Sequence, residues 1–180
     1  MKIIVIIAVM VAIIGIILII LINQYNKFQW TNVLVDKGEV NLKTLFNKKI
    51  SILIRYLDIL KENEVNIPDD KYNEFKLLNT KQQINKINAK IDELNNYISK
   101  TMDNNEKLLK NESVSNINKE LSEININING GKKYYNDNLV IYNHLCNAFP
   151  SNIIAKLKHY KEKDFLDNEI KEELKILDEQ

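Results

Sequence analysis

Apolar residues along this chain follow two different patterns. From Ile3 to Ile22 they are continuous: every position except Gly15 is Ile, Leu, Val, Met or Ala, and none is charged. At about 1.5 Å per helical residue the run covers roughly 30 Å, the thickness of a bilayer hydrocarbon core. It predicts a transmembrane helix, with residues 1–24 as the anchor and residues 3–22 in contact with the lipid bilayer. A cleaved secretory signal would have a shorter apolar core, about 7–15 residues, ending in small residues. Here the run passes into Asn23-Gln24-Tyr25-Asn26-Lys27, with no Cys following for lipid attachment. Tyr25, Phe28 and Trp30 suit an interfacial aromatic belt. Ala8, Ala12 and Gly15 offer a weak signal for close approach of two such helices. Lys2 on one side faces Lys27 and Lys37 on the other, so the preference of Lys and Arg for the cytoplasmic side does not choose an orientation.

Beyond the anchor the period becomes helical. Leu42, Phe46, Ile50, Leu53, Leu57 and Leu60 recur at steps of three and four, which predicts a first helix from Asn32 to about Glu64, continuous with the anchor or separate from it. Asn66-Ile67-Pro68-Asp69-Asp70 punctuates the chain, and either Asp is placed to cap a new helix. That second helix carries Leu77, Ile84, Ile87, Ile91, Leu94 and Ile98 as a heptad-like seam and frays around Met102 to Asn111. In the third region Val114, Leu121, Ile128, Tyr135, Tyr142 and Phe149 follow one another every seven residues. Ile117, Ile124 and Leu145, three residues after members of that series, supply the second line of a bundle seam. Gly130-Gly131 interrupts it at about 2 kcal/mol relative to a pair of Ala, predicting a kink or a junction of two shorter helices. Pro150 ends the helix, and Ser151 is placed to cap a short one through Ile153, Ile154 and Leu157. The last stretch, with Phe165, Ile170, Leu174 and Leu177, is highly charged and reads as a peripheral helix or tail over 161–180. The expected fold is therefore all-α: an N-terminal transmembrane helix, then an antiparallel bundle of three to four long helices over 25–160.

Composition narrows what such a bundle does. Outside Ile3–Ile22 roughly 39% of residues are apolar, below the ~45–50% of an average globular domain and above that of a disordered chain. Four Gly and two Pro do not suit a turn-rich all-β fold. Basic and acidic residues balance to a net charge of +1, which argues against nucleic acid as a partner. Arg55 is the sole Arg, so an Arg clamp for phosphate is excluded, and a lone Cys146 excludes an internal disulfide or a multi-Cys zinc site.

Candidate chemistry is sparse. His144 and Cys146 are two residues apart, about 200° around a helix, and cannot share a small site by themselves. Cys146 falls four residues after Tyr142 on the apolar face, where a thiol acts as a small hydrophobe. Neither His144 nor His159 has a Glu three residues before it, and no His-Glu-x-x-His occurs, so no metal is expected. Carboxylates at Asp58, Glu62 and Glu64, at Asp92 and Glu93, and from Glu162 to Glu179 read as solvated helix faces. Gly130-Gly131-Lys132-Lys133 lacks the spacing of a phosphate-cradling loop. No catalytic residue, cofactor or metal is expected. The most informative residues are Tyr135-Asn136 and Tyr142-Asn143, two helical turns apart and therefore on one face. Either the rings pack in the bundle with their polar atoms bonded internally, or these four residues line a surface groove for a partner helix or extended peptide.

The stretch from Tyr135-Asn136 through Tyr142-Asn143, then Phe149-Pro150-Ser151-Asn152, Ile154-Ala155 and Phe165, resembles the C-terminal signature of the bacterial LemA family. That family shows repeated Tyr-Asn, then Phe-Pro-Ser-Asn, an Ile-Ala pair and a late aromatic. The anchor at the start followed by Tyr25-Asn26 and a long helix is also similar. Three features depart from the pattern. Asn47-Lys48-Lys49-Ile50-Ser51-Ile52-Leu53 replaces a stretch that usually carries paired Arg and Asp-Leu-Ile-Pro-Asn-Leu-Val. Lys133-Tyr134 stands where paired Arg precede the first Tyr-Asn, and a Tyr-Pro turn ahead of the third helix is missing. The resemblance implies a bacterial, membrane-anchored helical bundle without accepted catalytic residues. Together these readings predict a single-pass cell-membrane protein that is not an enzyme and acts as an interaction or scaffold protein, with an unidentified protein partner or copies of itself. The contrasting expectations are a membrane-tethered hydrolase using carboxylates assembled by the fold, and a coiled-coil envelope spacer.

Overall fold

The computed structural model describes residues 1–78 and 84–166. Among these the chain is all-α, as the periodicity predicts: α1 (Lys2–Glu62), α2 (Asp69–Lys76), α3 (Ile84–Asp103), a 3-10 turn at Glu106–Lys110, α4 (Glu112–Asn147) and α5 (Ser151–Lys158). The chain divides into two compact units, a first made of Met1–Lys37 with the chain from Tyr135 onward, and a second made of Gly38–Tyr134.

Anchor and first helix are one element. No Pro or Gly falls between Gly15 and Gly38, so nothing interrupts the hydrogen-bond ladder, and α1 continues from the apolar run into the polar chain. No residue of the apolar run is buried, and the helix is long and apolar enough to cross a membrane. Its end is built from backbone geometry: Glu64 adopts a left-handed conformation (φ 62°), and Val65 N–H donates to the Leu60 carbonyl at 3.0 Å. That six-to-one bond is a Schellman closure, here without the usual Gly.

The second unit is a bundle with a mainly aliphatic interior that also takes in Phe46, Tyr56 and Phe75. Leu42, Phe46, Ile50, Leu53, Leu57 and Leu60 are all buried, as are Ile84, Ile87, Ile91, Leu94 and Ile98 of α3 and Val114, Ile117, Leu121, Ile124 and Ile128 of α4. Contacts pair Asn63 with Asn111, Arg55 with Glu120, and Leu42 with Gly131. The numbers rise on α4 as they fall on α1, so the two helices are antiparallel.

Several local expectations are corrected here. The second helix is two, because α2 stops at Lys76 and α3 starts at Ile84. Leu77, the predicted first member of its seam, lies outside both and is 78% exposed, while Phe75 is buried against Tyr97 with ring centroids 5.8 Å apart. Neither Asp69 nor Asp70 caps α2; Pro68 holds the cap position without a side-chain bond, and both Asp sit in the first turn, where their charge favours the helix dipole. Asn111 does cap α4, its Oδ1 accepting from the Ser113 N–H at 2.9 Å. Gly130-Gly131 does not divide a helix, since α4 runs through it. The reason for Gly131 is packing: a Cβ there would stand 3.0 Å from Leu42 Cδ2 and 3.1 Å from Leu45 Cδ1, whereas Gly130 faces open space.

In the first unit, Ser151 is not a cap either. It opens α5 after Pro150, and its hydroxyl donates back to the Ala148 carbonyl at 2.8 Å. Phe149, the last term of the seven-residue series, comes after α4 has ended and is 80% exposed. Phe28, expected at the lipid interface, is fully buried, while Tyr25 and Trp30 remain exposed. Ile170, Leu174 and Leu177 lie outside the described residues.

Candidate functional site

The Tyr-Asn repeat falls in the part of α4 that belongs to the first unit. Tyr135, Asn136 and Tyr142 are buried, and Asn143 is half-buried. The Tyr142 ring meets Phe28 of α1 edge-on at 5.3 Å between centroids, and Tyr160 stacks on the other side of Phe28 at 4.7 Å. Such aromatic pairs contribute about 0.5–1.5 kcal/mol beyond the area they bury. Gln29 Nε2 donates to the Tyr160 hydroxyl at 2.6 Å, tying the same residue to the polar side of α1.

After α5 the chain turns back along this face. His159 takes a left-handed conformation (φ 57°), and Tyr160 N–H donates to the Ala155 carbonyl at 2.9 Å, the second Schellman closure at a residue other than Gly. The following segment is held by Asn143, whose amide bonds both polar atoms of one backbone residue: Nδ2 donates to the Lys163 carbonyl at 2.9 Å, and Oδ1 accepts from the Lys163 N–H at 3.0 Å. Recognition of this kind reads main chain and is indifferent to side-chain identity. The Lys163 ammonium completes the clasp, donating to Asn32 Oδ1 at 3.3 Å and pairing with Asp36 at 3.1 Å, 5.1 Å from the Tyr142 ring centroid. Asn147 adds a bond to Glu162. The chain's own segment 160–163 thus lies against Tyr142 and Asn143.

Burial governs the electrostatics of this face. Desolvation, aided by the neighbouring Cys146, Tyr160 and Asp36, pushes the Tyr142 phenol up to about 12, so it remains a neutral donor at physiological pH. Burial likewise pushes the Cys146 thiol up, with Glu162 reinforcing it. A thiol held protonated is a poor nucleophile, and its sequence neighbour His144 is exposed. Asn136 is only 3% exposed, and its Oδ1 lacks a hydrogen-bond partner. An orphan of that kind costs about 1–3 kcal/mol.

The second unit holds one residue that the apolar stripe hid. Lys49 is 9% exposed, and burial lowers its ammonium's pKa, with Asp92 pulling the other way and Lys132 adding to the fall. Phe28, Val35 and Leu42 are buried at seven-residue steps, and Lys49 and Tyr56 continue that register. This is the signal that finds both Phe28 and Lys49. An open groove of about 580 Å³ runs between α1 and α4, lined by Thr44, Lys48, Arg55, Glu120, Glu123 and Asn127, with Arg55 and Glu120 paired across it. The acidic clusters are dispersed. Asp58 accepts from the Tyr72 hydroxyl at 2.6 Å, and Glu74 lies between Lys71 and Lys90. No group of three or more His, Cys, Asp or Glu converges among the described residues.

Residues 61–176 match the family model described as the LemA family. No curated protein and no solved structure matches the chain. The matched segment begins at the end of α1 and takes in the whole Tyr-Asn face with Phe149-Pro150 and the clasped segment, while the departures noted at residues 47–53 fall before it.

Proposed function

The chain belongs to the LemA family, and from that premise we propose that it is a single-pass membrane protein of the bacterial cell whose domain binds other proteins and performs no catalysis of its own. The observation that carries this reading is the Asn143 clasp. Asn143 grips main chain through a two-way amide pair, and the gripped segment is held further by Tyr160 stacked on Phe28 and by a Lys163–Asp36 ion pair. These are the means by which extended peptides are held, and burial pushes the Cys146 thiol beside this face toward its protonated form. The anchor fixes the domain at a bilayer, so partners would be met in two dimensions, where a modest affinity suffices.

Site-directed photo-crosslinking in cells tests the reading. With a photoreactive residue at Ile141, which is exposed on α4, we expect a discrete protein adduct, whether a second copy of the chain or another protein of the membrane. The reading is overturned if a scan of exposed positions yields no adduct while the purified chain turns over an ester or peptide substrate in a manner lost on Asp58→Asn or Asp92→Asn.

A further inference from the structure

The end of the first unit that carries α5 presents an apolar and basic surface that the interior does not use. Ile154 and Ala155 face inward and are buried, leaving Ile153 and Leu157, one turn apart, on the outer face; Leu157 is 70% exposed and Phe149 80%. Isolated exposed apolar residues need no explanation, but three within nine residues do. Between Ala148 and Lys161 the chain carries Lys156, Lys158 and Lys161 and no carboxylate. The nearest carboxylate, Glu162, is bonded to Asn147, and apolar residues beside this excess of lysines match an anionic lipid surface.

Two measurements of depth put this surface beside the anchor's end. Tyr142 packs on Phe28, and α4 runs antiparallel to α1, so its last residue, Asn147, lies five residues or about 7.5 Å nearer the anchor than Phe28. Ile22 lies six residues or about 9 Å from Phe28 along α1. The turn at Phe149-Pro150 therefore emerges level with the end of the apolar run. Independently, the Lys158 ammonium stands 5.7 Å from the ring of Tyr25, a residue about 4.5 Å beyond Ile22. The polar layer of a bilayer is about 5–7 Å deep on each side, so Lys158 lies at headgroup depth.

We propose that Phe149, Ile153 and Leu157, flanked by Lys156 and Lys158, form a second contact with the bilayer, in which α5 rests on an anionic lipid surface beside the anchor. The proposal rests on the reading of Ile3–Ile22 as membrane-spanning. Its effect is to hold the clasped segment that follows α5, and the Tyr-Asn face with it, against the lipid surface.

The test uses the full chain with Cys146→Ser, reconstituted into vesicles of phosphatidylcholine and phosphatidylglycerol, with an environment-sensitive fluorophore on a single introduced Cys. Three positions are compared: Ile13→Cys in the anchor, Leu157→Cys on α5, and Asn116→Cys on the exposed face of the second unit. We expect quenching at 13 by lipids bearing a nitroxide deep in the acyl chain, a blue shift at 157 together with strong quenching by lipids bearing a shallow nitroxide, little quenching at 116, and weaker quenching at 157 when phosphatidylglycerol is omitted. Quenching at 13 with none at 157 overturns the proposal and leaves the anchor standing. No lipid quenching at 13 overturns the anchor and the proposal together. A blue shift at 157 that is insensitive to the lipid quencher and disappears as protein is diluted in lipid shows a second copy on this surface, and overturns it as well.

Discussion

The two units of this molecule solve the burial problem with different residues. The second is packed mainly with Leu, Ile and Val at steps of three, four and seven, with Phe46, Tyr56 and Phe75 set among them, and among the described residues Lys49 is its buried charge. The first, past its anchor, sets Val35, Leu139, Leu145 and Ile154 beside Phe28, Tyr135, Tyr142 and the buried amides Asn136 and Asn138. Aliphatic packing tolerates exchange of one apolar side chain for another of similar volume. An interior of rings and amides fixes geometry, because each polar atom that loses its partner costs more than the bond contributed. The difference teaches where to look: the unit whose interior relies on directed polar bonds is the one in which the proposed binding face is to be tested.

The largest way to break the contrast is Tyr142→Ala, which should destabilise the first unit by roughly 3 kcal/mol, since it removes a buried ring together with its Phe28 partner surface. Amide hydrogen exchange in the full chain checks this: protection should collapse over 135–147 and persist over 112–130. Next, Asn143→Ala should release the segment after α5 at a cost of about 1–2 kcal/mol, read as faster exchange of the Lys163 amide with the helices intact.

Lys49→Met should act in the opposite direction, stabilising the second unit by roughly 1 kcal/mol because an apolar side chain of similar length replaces a desolvated charge. The pH dependence has a definite sign. The folded amine titrates below the unfolded value of about 10.4, so between the two the unfolded chain binds more protons and stability rises with pH. Tyr142 reverses this: its phenol titrates at about 12 when folded and near 10 when unfolded, so the first unit loses stability above about pH 10. Denaturant titration at alkaline pH should show the units diverging, with Lys49→Met removing the gain and Tyr142→Phe the loss. The smallest effect sharpens the glycine pair: Gly130→Ala should stabilise α4 by about 0.8 kcal/mol, and Gly131→Ala by less, because its methyl must displace Leu42 and Leu45.

Much of this was legible in the residues, for reasons that also explain the misses. Where a helix continues, a seven-residue period reports burial, and Leu42 through Leu60 and Val114 through Tyr142 are buried as predicted. The period carries no information on where a helix stops, so it counted Leu77 and Phe149, which lie just past the ends of α2 and α4. Nearness to the anchor points Phe28 to the lipid interface, whereas its step to Val35 and Leu42 places it in the core register. Of the site, the shared face of Tyr135 and Tyr142, with Asn143 beside it, is readable from the seven-residue spacing of the two pairs. The clasp is not, because Asn143 meets Lys163 across a turn, and backbone bonding leaves no trace in side-chain pattern.

One feature of α1 sets a rule for variation in this chain. Because the apolar run and the helix bearing Phe28 form one unbroken element, they share a single azimuth, like two cams on a shaft. Each residue inserted or deleted between Asn23 and Lys27 would turn the anchor about 100° and slide it about 1.5 Å against the face that receives Tyr142 and Tyr160. Steps of seven or eleven residues come within about 20° of restoring the phase, and even an insertion of seven lifts the domain about 10 Å away from the lipid. Length in this segment is therefore quantised, and a chain that must keep both its rotation and its height can change the identity of these residues far more freely than their number.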